Sequence, residues 1–550
     1  MKSMLATLFL SGSLWFNGGL FAQEFSPSNG EQPKLVVKLV VDQMRWDYLH
    51  RFSHHFGEGG FKRLMKDGYN FDNAFLNYAP TFTAVGHASI STGTYPAIHG
   101  IVGNEWINRP SGGYTYCTDD PAVRPLGGSR MHGRMSPVNL LATTVGDELK
   151  LSNNFKSRVY GVSLKDRGGI LLAGRSADCA YWLDDSTGNF MTSTWYTGEL
   201  PAWVNSFNRQ RKIDDLMREG WKPALPVSSY NMYRPDENEF EIPISENNNT
   251  SFPHELKSFL GKSYTPFRYV PMGNSLTLDF ASSLVREEKL GRGRFSDMLC
   301  ISLSSTDYIG HRFGPMSMEI EDTYIRLDRD VASFLHFLDS AVGKEKYLLV
   351  LTADHSAPQV PDFAKSKKLS AGNLNNFGLV DEINSHLELK FARKGLVTHY
   401  FNNQFFLNDP YIDSFRLDRE QIEQSVIRFL EQREEVVMAF LYSKLNEVVL
   451  PADLKERVAR GYHPKRCGNI YVILKPQFVD YLGKGTEHGT FYNYDTHIPL
   501  IFFGSSIASG RSFRRVGVTD IAPTLSAILK IQMPNASMGV VLEEMITRGR

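Results

Sequence analysis

Cysteine is scarce in this 550-residue chain: Cys117, Cys179, Cys300 and Cys467 are the only four, and no two are spaced C-x-x-C. That excludes a thiolate zinc finger or ribbon. It leaves two options open: up to two disulfides in one of three connectivities, or four buried thiols in a core that needs no staple. A charge excess is also missing. Lys plus Arg number 60 and Asp plus Glu number 60, so no basic surplus exists to serve as a nucleic-acid footprint. No long like-charge block, internal repeat or low-complexity tract interrupts the chain. The apolar stretch at 5–20 is broken by Ser11, Gly12, Ser13 and Asn17, which argues against a permanent membrane anchor. With Lys2 ahead of it, and Leu20 and Ala22 at −3 and −1 of a cleavage site, it reads as a secretory signal over residues 1–22. A periplasmic or secreted protein is expected.

What is present is a series of short, β-branched apolar runs that end in polar or acidic residues. Leu35–Val41 ends at Asp42, Val159–Val162 leads to Lys165, Met298–Leu303 leads to Asp307, and Tyr347–Leu351 leads to Asp354. Asn469–Leu474 and Ile498–Phe503 are of the same kind. Such runs read as buried strands. Helical patterns at Phe61–Met65 and Ile320–Leu338 alternate with them. The alternation predicts an α/β fold with a mostly parallel sheet, whose ligands gather beyond the carboxyl ends of the strands. Two long segments, about 168–290 and 362–485, separate the strand signals and are expected to be insertions that wall the site. The second carries a helix over Arg419–Glu431, with Asp418 and Gln421 placed like a capping box and Ile422, Val426, Ile427 and Leu430 on one face.

The acids at the strand ends come with histidines. Asp307 and His311 are four apart, one turn of a helix, and can share a divalent ion or form a surface ion pair. Asp354 and His355 are adjacent after a strand, and Asp42 closes the first strand, where it could equally cap a helix. His488 lies in Thr486-Glu487-His488-Gly489-Thr490. Each has an ordinary structural explanation. Together they supply three Asp and three His at strand ends, enough for two metal sites without sulfur, a donor set that suits Zn²⁺ and leaves Mn²⁺, Co²⁺ and Fe²⁺ open. A hydroxyl is offered by Pro80-Thr81-Phe82-Thr83-Ala84-Val85-Gly86-His87. Small residues follow Thr83 as at the start of a tightly packed helix, where free N–H groups and the dipole favour phosphate. A helix cap is the alternative role.

The run Thr83-Ala84-Val85-Gly86-His87, followed by Thr92-Gly93-Thr94-Tyr95-Pro96-Ala97-Ile98-His99-Gly100-Ile101-Val102-Gly103-Asn104, resembles the nucleotide pyrophosphatase/phosphodiesterase branch of the alkaline phosphatase superfamily. The resemblance implies that Thr83 rather than Thr81 is the nucleophile and that Asn104 touches phosphate. Ser163-Leu164-Lys165-Asp166-Arg167 is similar to the K-x-R motif of PafA-type bacterial alkaline phosphatases. That implies Lys165 and Arg167 facing the bound phosphate, with no third, magnesium site. It also implies one zinc held by Asp42, Asp354 and His355 with the Thr83 oxygen, and a second held by Asp307, His311 and His488. The fold implied is the three-layer alkaline-phosphatase-like α/β architecture with inserted cap segments. The activity implied is hydrolysis of small-molecule phosphate monoesters through a phospho-threonine, using two Zn²⁺ per chain in an expected monomer. The rival is a phosphodiesterase or nucleotide pyrophosphatase with the same metals. A sulfatase needs a C/S-x-P-x-R signature, which Cys117-Thr118-Asp119-Asp120-Pro121 does not supply.

Overall fold

The computed structural model describes residues 32–231, 235–245, 249–480 and 483–547. The expected signal segment, 1–22, lies outside the described residues. A ten-stranded sheet organises the chain. Its centre consists of β1 (Leu35–Val41), β2 (Val159–Ser163), β3 (Cys179–Leu183), β4 (Asp297–Leu303) and β5 (Tyr347–Thr352), in the spatial order β5-β1-β4-β2-β3 and all parallel. All five are buried along their whole length, which is why they read as continuous apolar runs rather than alternating ones. Outside β5 the sheet turns antiparallel through β6 (Leu500–Gly504). The parallel core therefore delivers the carboxyl ends of four neighbouring strands, β5, β1, β4 and β2, to one edge.

Lys38 is the exception inside β1. It is buried, and its ammonium donates to Ser91 Oγ at 2.6 Å and to the Leu172 carbonyl at 2.7 Å. Burial pulls it below the ordinary lysine range. These contacts tie the strand to two helices, α1 (Thr83–Thr92) and α2 (Asp166–Ala173). Every residue of α1 is buried, so its richness in Ala, Gly, Ser and Thr answers to close packing on all sides.

The segment at 168–290 is more than an insertion. Its first residues complete α2, and it then supplies β3, the strand next to β2. Trp182 and Tyr181 make β3 look unlike the Val-rich strands and hide it in the sequence. The segment at 362–485 builds an antiparallel sheet from Val397–Phe401, Gln404–Leu407, Ile470–Leu474 and Val436–Leu441. The Asn469–Leu474 signal is thus a strand of this small sheet, not of the central one. Helix Arg419–Glu431 packs on it through Ile422, Val426, Ile427 and Leu430, within a core of its own. Asp418 accepts from the Gln421 backbone N–H at 3.1 Å, but the Gln421 side chain returns to the Asp418 carboxylate at 2.8 Å instead of to its backbone. Only one half of the expected capping box forms.

All four cysteines are buried free thiols. The first-named option, disulfides, is not used. Among the described residues no helix is long and apolar enough to cross a membrane.

Helix α1 lies directly on the chain that leaves β5. A Cβ on Gly86 would stand 2.3 Å from the Asp354 carbonyl oxygen and 2.6 Å from the Asp354 Cβ. Gly86→Ala is therefore expected to destabilise by roughly 1–3 kcal/mol through overpacking, lowering the urea midpoint at unchanged m-value. An unchanged midpoint would mean that helix and strand end have slack that the packing denies.

Candidate active site

Thr83 is the first residue of α1, and its side chain is 1% exposed. Its Oγ1 is 3.4 Å from Lys165 Nζ and 3.5 Å from His355 Nε2. Thr81, the other hydroxyl in the run, donates to the Thr490 carbonyl instead. The helix terminus is partly occupied from within the chain, because the Ala84 N–H donates to Asn104 Oδ1 at 3.0 Å. With its oxygen so used, Asn104 keeps its NH₂ end to donate elsewhere. His87, one turn after Thr83, sits 2.8 Å from the Thr83 carbonyl through Nδ1 and 2.8 Å from Ser302 Oγ through Nε2. It braces α1 against β4 without reaching the Thr83 hydroxyl.

Three carboxylates meet beneath Thr83. Asp42 follows β1, Asp354 follows β5, and Asp307 lies in the first turn of α3 (Ser305–Phe313), which follows β4. All are buried. Lys165, at the end of β2, donates to Asp42 Oδ2 at 2.7 Å and to Asp307 Oδ2 at 2.5 Å. Burial alone would lower the lysine pKa; the Asp307 and Asp42 charges outweigh it and hold it above its ordinary value. The acids respond unequally. Burial, then repulsion from Asp307 and Asp354, raises Asp42. Burial works the same way on the other two but loses: His311 and Lys165 hold Asp307 well below the carboxylate range, and His355 and His87 do so for Asp354. Asp42 Oδ1 and Asp354 Oδ2 are buried without any hydrogen-bond donor.

The three histidines are oriented alike. His311 Nδ1 lies 2.8 Å from the Thr486 carbonyl, His488 Nδ1 2.7 Å from the Thr81 carbonyl, and His355 Nδ1 3.1 Å from the Ser356 carbonyl. A carbonyl can only accept, so each Nδ1 carries a hydrogen and each Nε2 is turned into the site. His311 Nε2 stands 3.1 Å and His488 Nε2 3.6 Å from Asp307 Oδ1. His355 Nε2 stands 3.4 Å from Asp42 Oδ1 and 3.5 Å from Asp354 Oδ2. Burial would lower both His355 and His311. Asp354 and Asp42 push the first up to about 9, and Asp307 and Glu487 push the second up to about 10. The same negative field favours a cation. One ligand atom each from Asp307, His311 and His488 lie within 4.8 Å of one another, as do those of Asp42, Asp307 and His355. The sequence-expected trio Asp307/His311/His488 is thus brought together as such. In the other group Asp307 takes the place expected of Asp354, although Asp354 Oδ2 is the nearer of the two to His355 Nε2, at 3.5 Å against 3.9 Å.

Arg167, in the first turn of α2, donates to the Tyr116 hydroxyl at 3.0 Å, and its Nε is buried without a partner. Tyr116 in turn donates to Asp166 at 2.8 Å. Arg167 and Asp166 do not pair directly: Tyr116 stands between them. Arg167 opens onto a cleft with Thr83, Asn104, Asp307 and His488.

Several residues were not foreseen. Gln43 takes a positive φ of 62°, donates its backbone N–H to Asp354 at 3.2 Å and its side-chain NH₂ to Asp307 at 2.9 Å. Asn402 enters the cleft from the 362–485 segment and donates to the Glu105 carbonyl at 2.8 Å. It sits at the tip of a hairpin with Asn403, both at positive φ, as a two-residue turn requires. The Asn-Asn pair between two apolar runs was the available signal. Glu487, the neighbour of His488, also lines the cleft.

The sequence profile of the type I phosphodiesterase/nucleotide pyrophosphatase family matches residues 36–496. A protein of Myroides odoratus named as a calcium-transporting ATPase is 43% identical over 94% of this chain and 95% of its own length. Alkaline phosphatase PhoV of Synechococcus elongatus is 42% identical over 94% of each chain. The crystal structure of wild-type alkaline phosphatase PafA superposes with a TM-score of 0.92 at 42% identity, covering 94% of this chain and 99% of that one. The fold is accordingly that of PafA, and the chain belongs to the type I phosphodiesterase/nucleotide pyrophosphatase family.

Proposed function

We propose that the protein is an alkaline phosphatase: a secreted or periplasmic, two-zinc hydrolase of phosphate monoesters that works through a phospho-threonine at Thr83. The observation that carries this reading is the position of the Thr83 hydroxyl. It lies at a helix N-terminus, over three buried carboxylates and three imidazoles whose Nε2 atoms face inward. The family, and relatives named as alkaline phosphatases, support it.

The donor set fits divalent cations. Two buried carboxylate oxygens lack donors, and buried charges are tolerated when paired or metal-bound. In the proposal Asp42, Asp354 and His355 hold one Zn²⁺ with the Thr83 oxygen, and Asp307, His311 and His488 hold the other. When bound, such a pair supplies Lewis-acid stabilisation of both the attacking and the leaving oxygen. The chain's own part is the rest. Thr83 Oγ1 bonds to phosphorus as the P–O bond to the leaving alcohol breaks, in line, and the leaving oxygen takes up a proton. Water then attacks the phospho-threonine, breaking the P–Oγ1 bond and returning the hydroxyl. Loss of the hydroxyl proton is favoured by the Lys165 ammonium 3.4 Å away. The Asn104 NH₂ and the Arg167 guanidinium bind non-bridging oxygens, and the 362–485 segment contributes Asn402 to the cleft wall.

The rival, a diesterase at the same centre, is disfavoured by Lys165 and Arg167. A monoester dianion places charge on three terminal oxygens, whereas a diester has two and a single charge; two extra cations match the former. The ATPase in the Myroides name is compatible chemistry, since the γ-phosphoryl of ATP is also terminal.

Thr83→Ala is expected to lower monoester kcat/KM by at least roughly a thousandfold, and acid-quenched wild type to carry phosphate on the Thr83 peptide. Phosphate trapped on another residue would refute the assignment. The Lys165→Ala/Arg167→Ala double variant should lose roughly 10²–10³ or more in monoester kcat/KM, as for other lost transition-state charge contacts, and far less with a diester. Equal losses, or a wild type that prefers diesters, would instead select the phosphodiesterase reading.

A further inference from the structure

A second set of metal-capable side chains lies outside this centre and shares no residue with it. His54 and His55 end a short 3-10 turn, Ser53–His55, and Glu321 is in the first turn of helix α4 (Met318–Leu338). One ring nitrogen of each histidine and one carboxylate oxygen of Glu321 lie within 4.8 Å of one another.

Glu321 is fully buried, yet among the described residues no lysine or arginine pairs with it. Its Oε2 accepts from the Asn231 backbone N–H at 3.0 Å and its Oε1 from Asn231 Nδ2 at 2.9 Å. His55 Nε2 approaches Oε1 to 3.2 Å. The approach does not make a hydrogen bond, and Nε2 is left buried without a partner. The two atoms thus face a common space more than they face each other. Amide donors soften a buried carboxylate without cancelling its charge.

The position of the Asn231 amide shows what belongs in that space. Its Nδ2 touches Glu321 Oε1 and also lies 3.2 Å from His54 Nε2. One NH₂ group therefore serves two of the three converging acceptors with its partial positive charge. A cation there would serve them with a full one, and the amide, turned over, would present Oδ1 as a further donor. The His54 and His55 rings are 3.9 Å apart and tilted by 42°, so both imidazoles can address one point. His54 is exposed and leaves a path for entry.

We propose that His54, His55 and Glu321, assisted by Asn231, form a binding site for a borderline divalent cation of the Zn²⁺ type, distinct from the catalytic pair. Two imidazoles and one carboxylate suit Zn²⁺ and its transition-metal neighbours rather than Ca²⁺ or Mg²⁺, which take oxygen shells. The ion would fasten the 53–55 turn to α4, the helix that follows the Asp307- and His311-bearing α3.

The test compares wild type with His54→Ala/His55→Ala by equilibrium dialysis against buffered Zn²⁺, with metal per chain measured by plasma mass spectrometry and monoester turnover in parallel. The difference between the two proteins is independent of how many ions the catalytic centre holds. The expected result is one ion fewer in the double variant with turnover unchanged, and the same loss in Glu321→Gln. Equal metal contents would overturn the proposal, and so would loss of an ion accompanied by collapse of turnover, which would assign the missing ion to the catalytic centre.

Discussion

Mutual repulsion among Asp42, Asp307 and Asp354 is the constraint around which the centre is built. Two like charges 4 Å apart repel by about 4 kcal/mol at an effective dielectric of 20, and these three are all buried. Part of the load is carried by Lys165, whose ammonium is within 2.7 Å of two of them. Gln43 adds neutral donors to Asp354 and Asp307. The remainder shows as imidazoles pushed up to about 9 and about 10, and as the raised pKa of Asp42. A site that draws protons and ammonium this strongly is one that favours divalent cations.

That constraint is met by topology rather than by local sequence. Parallel strands place Asp42, Asp354 and Lys165 at one sheet edge, with α3 bringing Asp307 from the next strand. Close packing then fixes the details. Gly86 lets α1 touch the Asp354 backbone, and Gly310 leaves room for the Gln43 carboxamide, whose Oε1 lies 1.8 Å from where a Cβ would be. Thr83 and the acids beneath it are therefore registered through backbone contact, which leaves little tolerance for larger residues at either glycine.

The strand-end acids and histidines were legible because buried parallel strands advertise themselves as apolar runs and their ends as the first polar residues. The choice of Thr83 over Thr81 came from family spacing. In the structure Thr81 donates to the Thr490 carbonyl, whereas the Thr83 hydroxyl lies near Lys165 and His355. Gln43 and Tyr116 were not legible, since each acts through a partner distant in sequence; the Asn402-Asn403 pair signalled a turn but not its contact with Glu105. The strand β3 was missed because its aromatic residues resemble those of a surface insertion. The closeness of Asp307 to both histidine groups is a distance relation that spacing along the chain does not encode.

Lys165 connects the electrostatics to the proposed chemistry. In the structure it neutralises Asp42 and Asp307, whereas in the proposal it faces phosphate once cations take over those acids. The most direct test is a crystal structure with Zn²⁺ and inorganic phosphate, with zinc located by anomalous scattering. The account predicts one peak at Asp42, Asp354 and His355, another at Asp307, His311 and His488, and Lys165 Nζ withdrawn from both carboxylates onto a phosphate oxygen. Lys165 still bridging Asp42 and Asp307 beside bound phosphate, with no zinc at either group, would contradict it.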